Sequence, residues 1–153
     1  MPILTPVFAT DFDAMVAIRI EALRESLERL GRFDPVRARE RLAAGFVPEH
    51  MRHIELVGER IGFITLRPDS GQVPPALHLD HLYIRPACQG QGIGAWVLDW
   101  AKAQAGSQDC DITLSALKHS AANRFYLRHG FVQVAEAEFD LDYRWSRHPG
   151  VLA

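Results

Sequence analysis

Between residues 85 and 96 the chain reads RPACQGQGIGAW, with glycine at the alternate positions 90, 92 and 94. Loss of Cβ at such sites lets backbone approach a partner closely and take up dihedral angles that other residues avoid. Apolar residues at helical spacing follow at once, with Ile93, Trp96, Val97 and Trp100 on one face. The apolar run LHLDHLYI (77–84) precedes the glycines, and DITLSA (111–116) follows the helix. Strand, glycine turn, helix and strand in that order imply a right-handed parallel crossover.

The rest of the chain must be arranged around that crossover. Residues 3–8 read as a short strand, and TDFD offers a capping box, Thr10 with Asp13 three residues on. Phe12, Val16, Ile20, Leu23, Leu27 and Leu30 recur at steps of three or four, predicting an amphipathic helix that Gly31 ends. In DPVRARERLAAG, Asp34 is the expected N-cap, Pro35 the first helical residue and Gly45 the residue past the end. The period changes to two in HIELV and RIGFITL, a predicted hairpin turning at Gly58-Glu59 as type II′. A Pro/Gly-rich loop (67–76) leads into the strand at 77–84. The helix after the glycines is expected to stop at Gly106. SAANRFYLRHG predicts a last helix, capped by Ser120 and stopped by Gly130, before two closing strands, FVQVA and EFDLDYRW. The expected architecture is α/β: a single domain over residues 1–153, with a central mixed β-sheet and helices on both faces.

Hydrophobic residues make up 48% and charged residues 24%, the balance of a soluble globular protein. No run approaches the ~20 apolar residues of a membrane span. MPILTPVFATDFD lacks a basic n-region and an uninterrupted apolar core, so no signal peptide is expected. A net charge of -2 gives no electrostatic reason to expect nucleic acid. Cys88 and Cys110 form neither CxxC nor a disulfide framework, and as reduced thiols they suit a cytoplasmic setting.

Three kinds of phosphate loop compete for the glycines. A nucleotide-triphosphate loop needs GxxxxGK[ST], and no lysine is near. A dinucleotide fingerprint is satisfied from Gly90 to Ala95, with Asp109 and Asp111 further on as ribose acids, which would suit an NAD(P)-dependent oxidoreductase. Against it, Pro86 to Gln89 separate the strand from the first glycine, and too little chain remains for more parallel strands. In the third reading the backbone N–H groups of Gln89, Gly90, Gln91, Gly92, Ile93 and Gly94, with Ala95 next in the helix, meet a pyrophosphate. The helix dipole assists them. This segment resembles motif A of the GCN5-related N-acetyltransferases (GNAT), Q/R-x-x-G-x-G/A, matched by Gln89, Gly92 and Gly94. LDHLYIRP resembles the strand leading into that motif, and NRFYLRHGF (123–131) resembles motif B. The element order β-α-α-β-β-β-α-β-α-β-β is also that family's, and the resemblance covers essentially the whole chain.

The resemblance implies an acyl-coenzyme A N-acyltransferase fold. It implies an enzyme that moves an acetyl group from acetyl-coenzyme A to a primary amine, on a small molecule or peptide, by direct attack in a ternary complex. The backbone of Leu82, Tyr83 and Ile84 would pair with the pantetheine arm, Asn123 would hydrogen-bond it, and Tyr126 would protonate the leaving thiolate. A thiol pKa of about 8.5 against about 10 for a phenol means Tyr126 need only share its proton late. Holding a lysine-like amine neutral at pH 7 costs about 4.6 kcal/mol, and an α-amino group about 1.4, so the need for a base depends on the acceptor. His81, Asp80 and a water relay remain open as that base, with Glu55 as a further candidate. Neighbouring strand residues face opposite sides, so Asp80 and His81 share a site only across a bulge. The acceptor side is expected from the first two helices, the 67–76 loop and the turn near Glu136 to Glu138.

Other features have plainer readings. A non-catalytic acyl-coenzyme A sensor would keep motif A without needing Tyr126. No metal is expected, because His78 and Asp80 share a strand face but lack a third ligand. Arg37, Arg39 and Arg41 fit a solvated helix face, and Cys88 has no base partner. The alternation of Phe139, Leu141, Tyr143 and Trp145 would permit a homodimer through the last strands, as in related folds.

Overall fold

The computed structural model describes residues 1–148. Strands β1 (Ile3–Pro6), β2 (Met51–Leu56), β3 (Glu59–Asp69), β4 (Ala76–Ile84), β5 (Asp111–Leu117), β6 (Val132–Glu136) and β7 (Asp140–Trp145) form one sheet. Their hydrogen-bonded order is β1-β2-β3-β4-β5-β7-β6. Helices α1 (Phe12–Arg29), α2 (Pro35–Ala44), α3 (Ile93–Ser107) and α4 (Ala122–Arg128) complete the expected element order. The β4–β5 pair is parallel, as the crossover requires, whereas β1–β2, β2–β3, β5–β7 and β6–β7 are antiparallel. The sheet is therefore mixed. No helix among the described residues is long and apolar enough to cross a membrane.

Local chemistry explains most element ends. The Asp34 carboxylate accepts from the N–H groups of Val36 at 3.0 Å and Arg37 at 3.3 Å, and Pro35 opens α2. Past α1, Gly31 takes φ +67° while the Arg32 N–H returns to the Leu27 carbonyl. Four expectations change. The turn before α1 is capped by Asp11 rather than by Thr10 and Asp13: its carboxylate accepts the Phe8 N–H at 2.9 Å. The β2–β3 turn is centred on Val57 and Gly58, both left-handed at φ 52° and 76°, the signature of type I′ and not II′. Helix α3 runs through Gly106 and reverses at Asp109, where φ is 55° and the Cys110 N–H reaches the Ala105 carbonyl. Helix α4 starts without a serine cap, since the Ser120 hydroxyl donates to the Leu117 carbonyl instead.

Two compact units partition the chain, and β3 and β4 each run through both. The first comprises residues 1–65 and 81–94. Val7, Met15, Val16, Leu42, Met51 and Phe63 form its buried core. Within it a Cβ at Gly62 would fall on the carbonyl oxygen of Tyr83, so β3 carries glycine at that approach. The second comprises residues 66–80 and the chain from 95 onward. Leu77, Leu79, Val97, Leu98, Ile112, Leu114, Phe131 and Tyr143 are buried in it.

Asp11 ties several segments of the first unit together. Besides the Phe8 amide it holds His53 of β2 at 2.9 Å and Arg60 of β3 at 3.0 Å. These partners, His53 foremost and then the Phe8 amide, lower its pKa to about 2. A depressed carboxylate stabilises the fold above its unfolded pKa and loses that contribution as pH falls through the folded value. Asp11→Asn should therefore cost about 2 kcal/mol at neutral pH. Urea unfolding should show that gap undiminished down to about pH 4 and shrinking towards pH 2. A gap of constant size across that range would refute the assignment.

Candidate active site

In the first unit, β4 passes through a short 3₁₀ turn at Pro86–Cys88 into the glycine loop. The Cys88 and Gln89 N–H groups are used there, on the Arg85 and Pro86 carbonyls. Gln89 is thereby removed from the row of N–H groups that the sequence suggests for a phosphate, and Gln89 and Gly90 form a turn that leads through Gln91 and Gly92 into α3. Gly90 and Gly92 adopt φ +77° and +79°, and nothing lies within 4 Å of where a Cβ would stand on either. Ile93 is buried and anchors the start of the fifteen-residue helix α3. Two left-handed glycines with open space beside them and the N-terminus of α3 suit a diphosphate. The Gln89 side chain is spent on the Ile84 carbonyl at 2.9 Å, so it braces the loop against the strand end.

On β4 in the same unit, His81 is 3% exposed and its Nδ1 lies 2.9 Å from the Tyr83 hydroxyl. The sequence reading named Tyr83 for its backbone alone. Its phenol oxygen also accepts from Arg19 Nε of α1 at 3.2 Å, a residue that reading did not single out. If Tyr83 donates its proton to Nδ1, the neutral imidazole carries hydrogen on Nε2 and cannot take another there. If His81 donates to Tyr83, Nε2 is the basic atom. Glu55 is occupied by Thr5 at 2.7 Å and Arg60 at 3.8 Å.

In the second unit, Asp80 lies 3.6 Å from Arg67. The β4–β5 ladder pairs Ala76–Leu79 with Asp111–Leu114. His78 bonds Thr113 at 2.8 Å, and its pKa is lowered by burial and then by Arg67. Among the described residues no cluster of three metal-ligating side chains occurs. Asp111, a ribose acid in the dinucleotide reading, is held by Arg144 and Arg147. Burial pushes its pKa up, and the bonds from Arg147 and Arg144 outweigh this, leaving it lowered. Asp109 is paired with Arg147 at 2.6 Å.

Asn123 and Tyr126 lie on α4 in this unit. The Asn123 amide nitrogen donates to the Leu117 carbonyl at 2.8 Å and the Ser120 carbonyl at 3.0 Å, and its oxygen accepts the Tyr143 hydroxyl at 2.8 Å. Its hydrogen-bonding capacity thus goes largely to fixing the β5–α4 connection against β7. Tyr126 is 7% exposed, and its ring sits 5.4 Å from Phe131 and 6.3 Å from Tyr143. Burial raises the Tyr143 pKa.

Comparison with known proteins agrees with this geometry. The acetyltransferase (GNAT) domain family matches residues 48–133. The chain belongs to the GCN5-related N-acetyltransferases and is an acetyltransferase of that family. Among individual relatives, the aminoalkylphosphonate N-acetyltransferase of Salmonella typhimurium is 31% identical, with 80% of each chain covered. The PaiA N-acetyltransferase of Thermoplasma acidophilum, solved in complex with coenzyme A, superimposes with a TM-score of 0.76 at 14% identity, covering 95% of this chain and 99% of that one. An acetyltransferase from Thermus thermophilus gives 0.73 at 18% identity, covering 94% and 96%. At those identities the two structures establish the shared fold.

If Asn123 is a clamp of the β5–α4 connection, Asn123→Ala should cost about 2 kcal/mol and Tyr143→Phe about 1 kcal/mol. Urea unfolding of each variant measures this, and an unaltered midpoint for Asn123→Ala would remove the clamp.

Proposed function

We infer that the chain transfers an acetyl group from acetyl-coenzyme A to a primary amine on a small molecule, by direct attack within a ternary complex. The observation that carries this reading is the turn at Gly90 and Gly92, both left-handed with open space where a Cβ would stand, at the start of α3. These residues would hold the diphosphate, with Leu82 to Ile84 offering backbone to the pantetheine arm. Acetyl-coenzyme A supplies an acetyl thioester whose carbonyl carbon the amine attacks, forming the C–N bond as the C–S bond breaks. Proton balance requires the nitrogen to lose one hydrogen and the sulfur to gain one. Tyr126 is the proposed donor to sulfur; its ring is fixed by Phe131 and Tyr143, which preserves the aim of the hydroxyl. Asn123, by binding Leu117, Ser120 and Tyr143, holds the helix that carries Tyr126. His81 through Nε2 and Asp80 remain alternative acceptors for the amine proton, alongside a water relay. The relative named for aminoalkylphosphonates supports a small amine as the acceptor.

Calorimetric titration with acetyl-coenzyme A, with NADH in parallel, tests the cofactor. Acetyl-coenzyme A should bind and NADH should not. Gly92→Val, which forces a side chain onto φ +79°, should weaken binding on the order of tenfold or more. Binding of NADH alone would overturn the reading. Tyr126→Phe should lower kcat on the order of 100-fold while leaving acetyl-coenzyme A affinity within a factor of about two. Weakened affinity with intact turnover would show that Tyr126 binds rather than donates.

A further inference from the structure

Arg19 is the buried arginine of the described chain, 8% exposed on α1. Its bonds within the fold go to neutral acceptors: Nε to the Tyr83 hydroxyl at 3.2 Å, and Nη1 to the Ala38 carbonyl of α2 at 3.0 Å. The guanidinium carbon also stands 5.6 Å from the centre of the Tyr83 ring. More exposed arginines have carboxylate partners, including Arg24 with Glu28, Arg39 with Asp13 and Arg60 with Asp11. Among the described residues Arg19 has none. The arrangement is the reverse of what stability favours, because a desolvated cation needs a counter-charge more than a solvated one. Two of its five N–H groups are used. Nη2 makes no hydrogen bond among the described residues, and the side chain keeps 8% of its surface exposed.

We propose that Arg19 is the specificity-determining residue of the acceptor site, and that it binds an anionic group carried by the amine substrate, a carboxylate or a phosphonate. The proposal rests on the amine-acetyltransferase reading and narrows its acceptor to aminoalkyl acids. The free N–H groups on Nη2 and Nη1 suit two oxygens of one anion, which a lysine could not match with the same geometry. Tyr83 and Ala38 fix the guanidinium before the substrate arrives, and His81 borders it through Tyr83. An amine with a cationic tail would meet repulsion at the same place.

The test uses the full chain with saturating acetyl-coenzyme A and four amines of similar length: 3-aminopropanoate, 2-aminoethylphosphonate, 3-amino-1-propanol and 1,3-diaminopropane. Release of free thiol gives kcat/KM for each. At least one anionic amine should exceed the neutral and cationic ones by about 100-fold, the ratio of the two acids showing which anion the site takes. Arg19→Gln should erase that preference through KM, lowering kcat/KM for the anionic amine at least about tenfold more than for the neutral one while acetyl-coenzyme A affinity stays within about twofold. Arg19→Lys should restore part of it. Equal losses for charged and neutral amines in Arg19→Gln would mean a structural staple, and would overturn the proposal. If the variants do not fold, the wild-type panel decides alone: equal or better use of the neutral or cationic amine overturns it. If no amine is acetylated, the panel is titrated calorimetrically against the protein with acetyl-coenzyme A. Binding confined to the anionic amines and abolished in Arg19→Gln would sustain the anion site while the acetyl-transfer reading failed. Binding of none would end both.

Discussion

A single residue, Tyr83, joins three parts of the first unit. Its phenol oxygen accepts from Arg19 of α1 and shares a hydrogen with His81 two residues earlier, and its main-chain carbonyl lies where a Cβ on Gly62 of β3 would stand. A hydroxyl can accept two hydrogen bonds and donate one, so every partner constrains the others. The direction of the His81 bond is tied to which ring nitrogen of that imidazole carries hydrogen. The Arg19 bond decides where the one uncompensated buried cation of the described residues is aimed. Tyr83 is the penultimate residue of β4, beside the Ile84 carbonyl that takes the Gln89 side chain, so these contacts lie at the strand end that leads into the glycine loop.

The second unit uses a different hub for a related purpose. Asn123 receives the Tyr143 hydroxyl and donates to two carbonyls of the β5–α4 connection, and Phe131 and Tyr143 enclose the Tyr126 ring. A short helix of seven residues has little intrinsic stability, so its placement depends on such tertiary bonds. Asn123 thereby fixes the start of the helix that carries Tyr126. Its amide hydrogens have acceptors inside the fold, which leaves little to offer a cofactor.

Legibility in the sequence followed the range of each interaction. Asp34 with Pro35, Gly31 after α1, and the Gly90–Gly94 loop act over a few residues, and their spacing revealed them. The misread ends had competing local solutions. Val57 took a left-handed conformation beside Gly58, which a β-branched residue ordinarily resists. Gly106 could be carried inside α3 because Asp109 supplied the reversal three residues later. Ser120 turned its hydroxyl back to Leu117 and left α4 uncapped by it.

By itself the sequence determined the order of elements, the parallel crossover and the left-handed glycine turn before α3, since each is specified by periodicity or by a backbone conformation that only certain residues adopt. The tertiary structure alone decided that β7 lies between β5 and β6, and that Asp11 reaches His53 and Arg60 some forty or more positions away. It also decided that Asn123 is committed to Tyr143 and that Arg19, one of many arginines in the chain, is buried without a carboxylate. The physical reason is common to all four. Desolvation and hydrogen-bond partnership are properties of what surrounds a side chain, and those surroundings come from segments distant in the chain that no local pattern brings together.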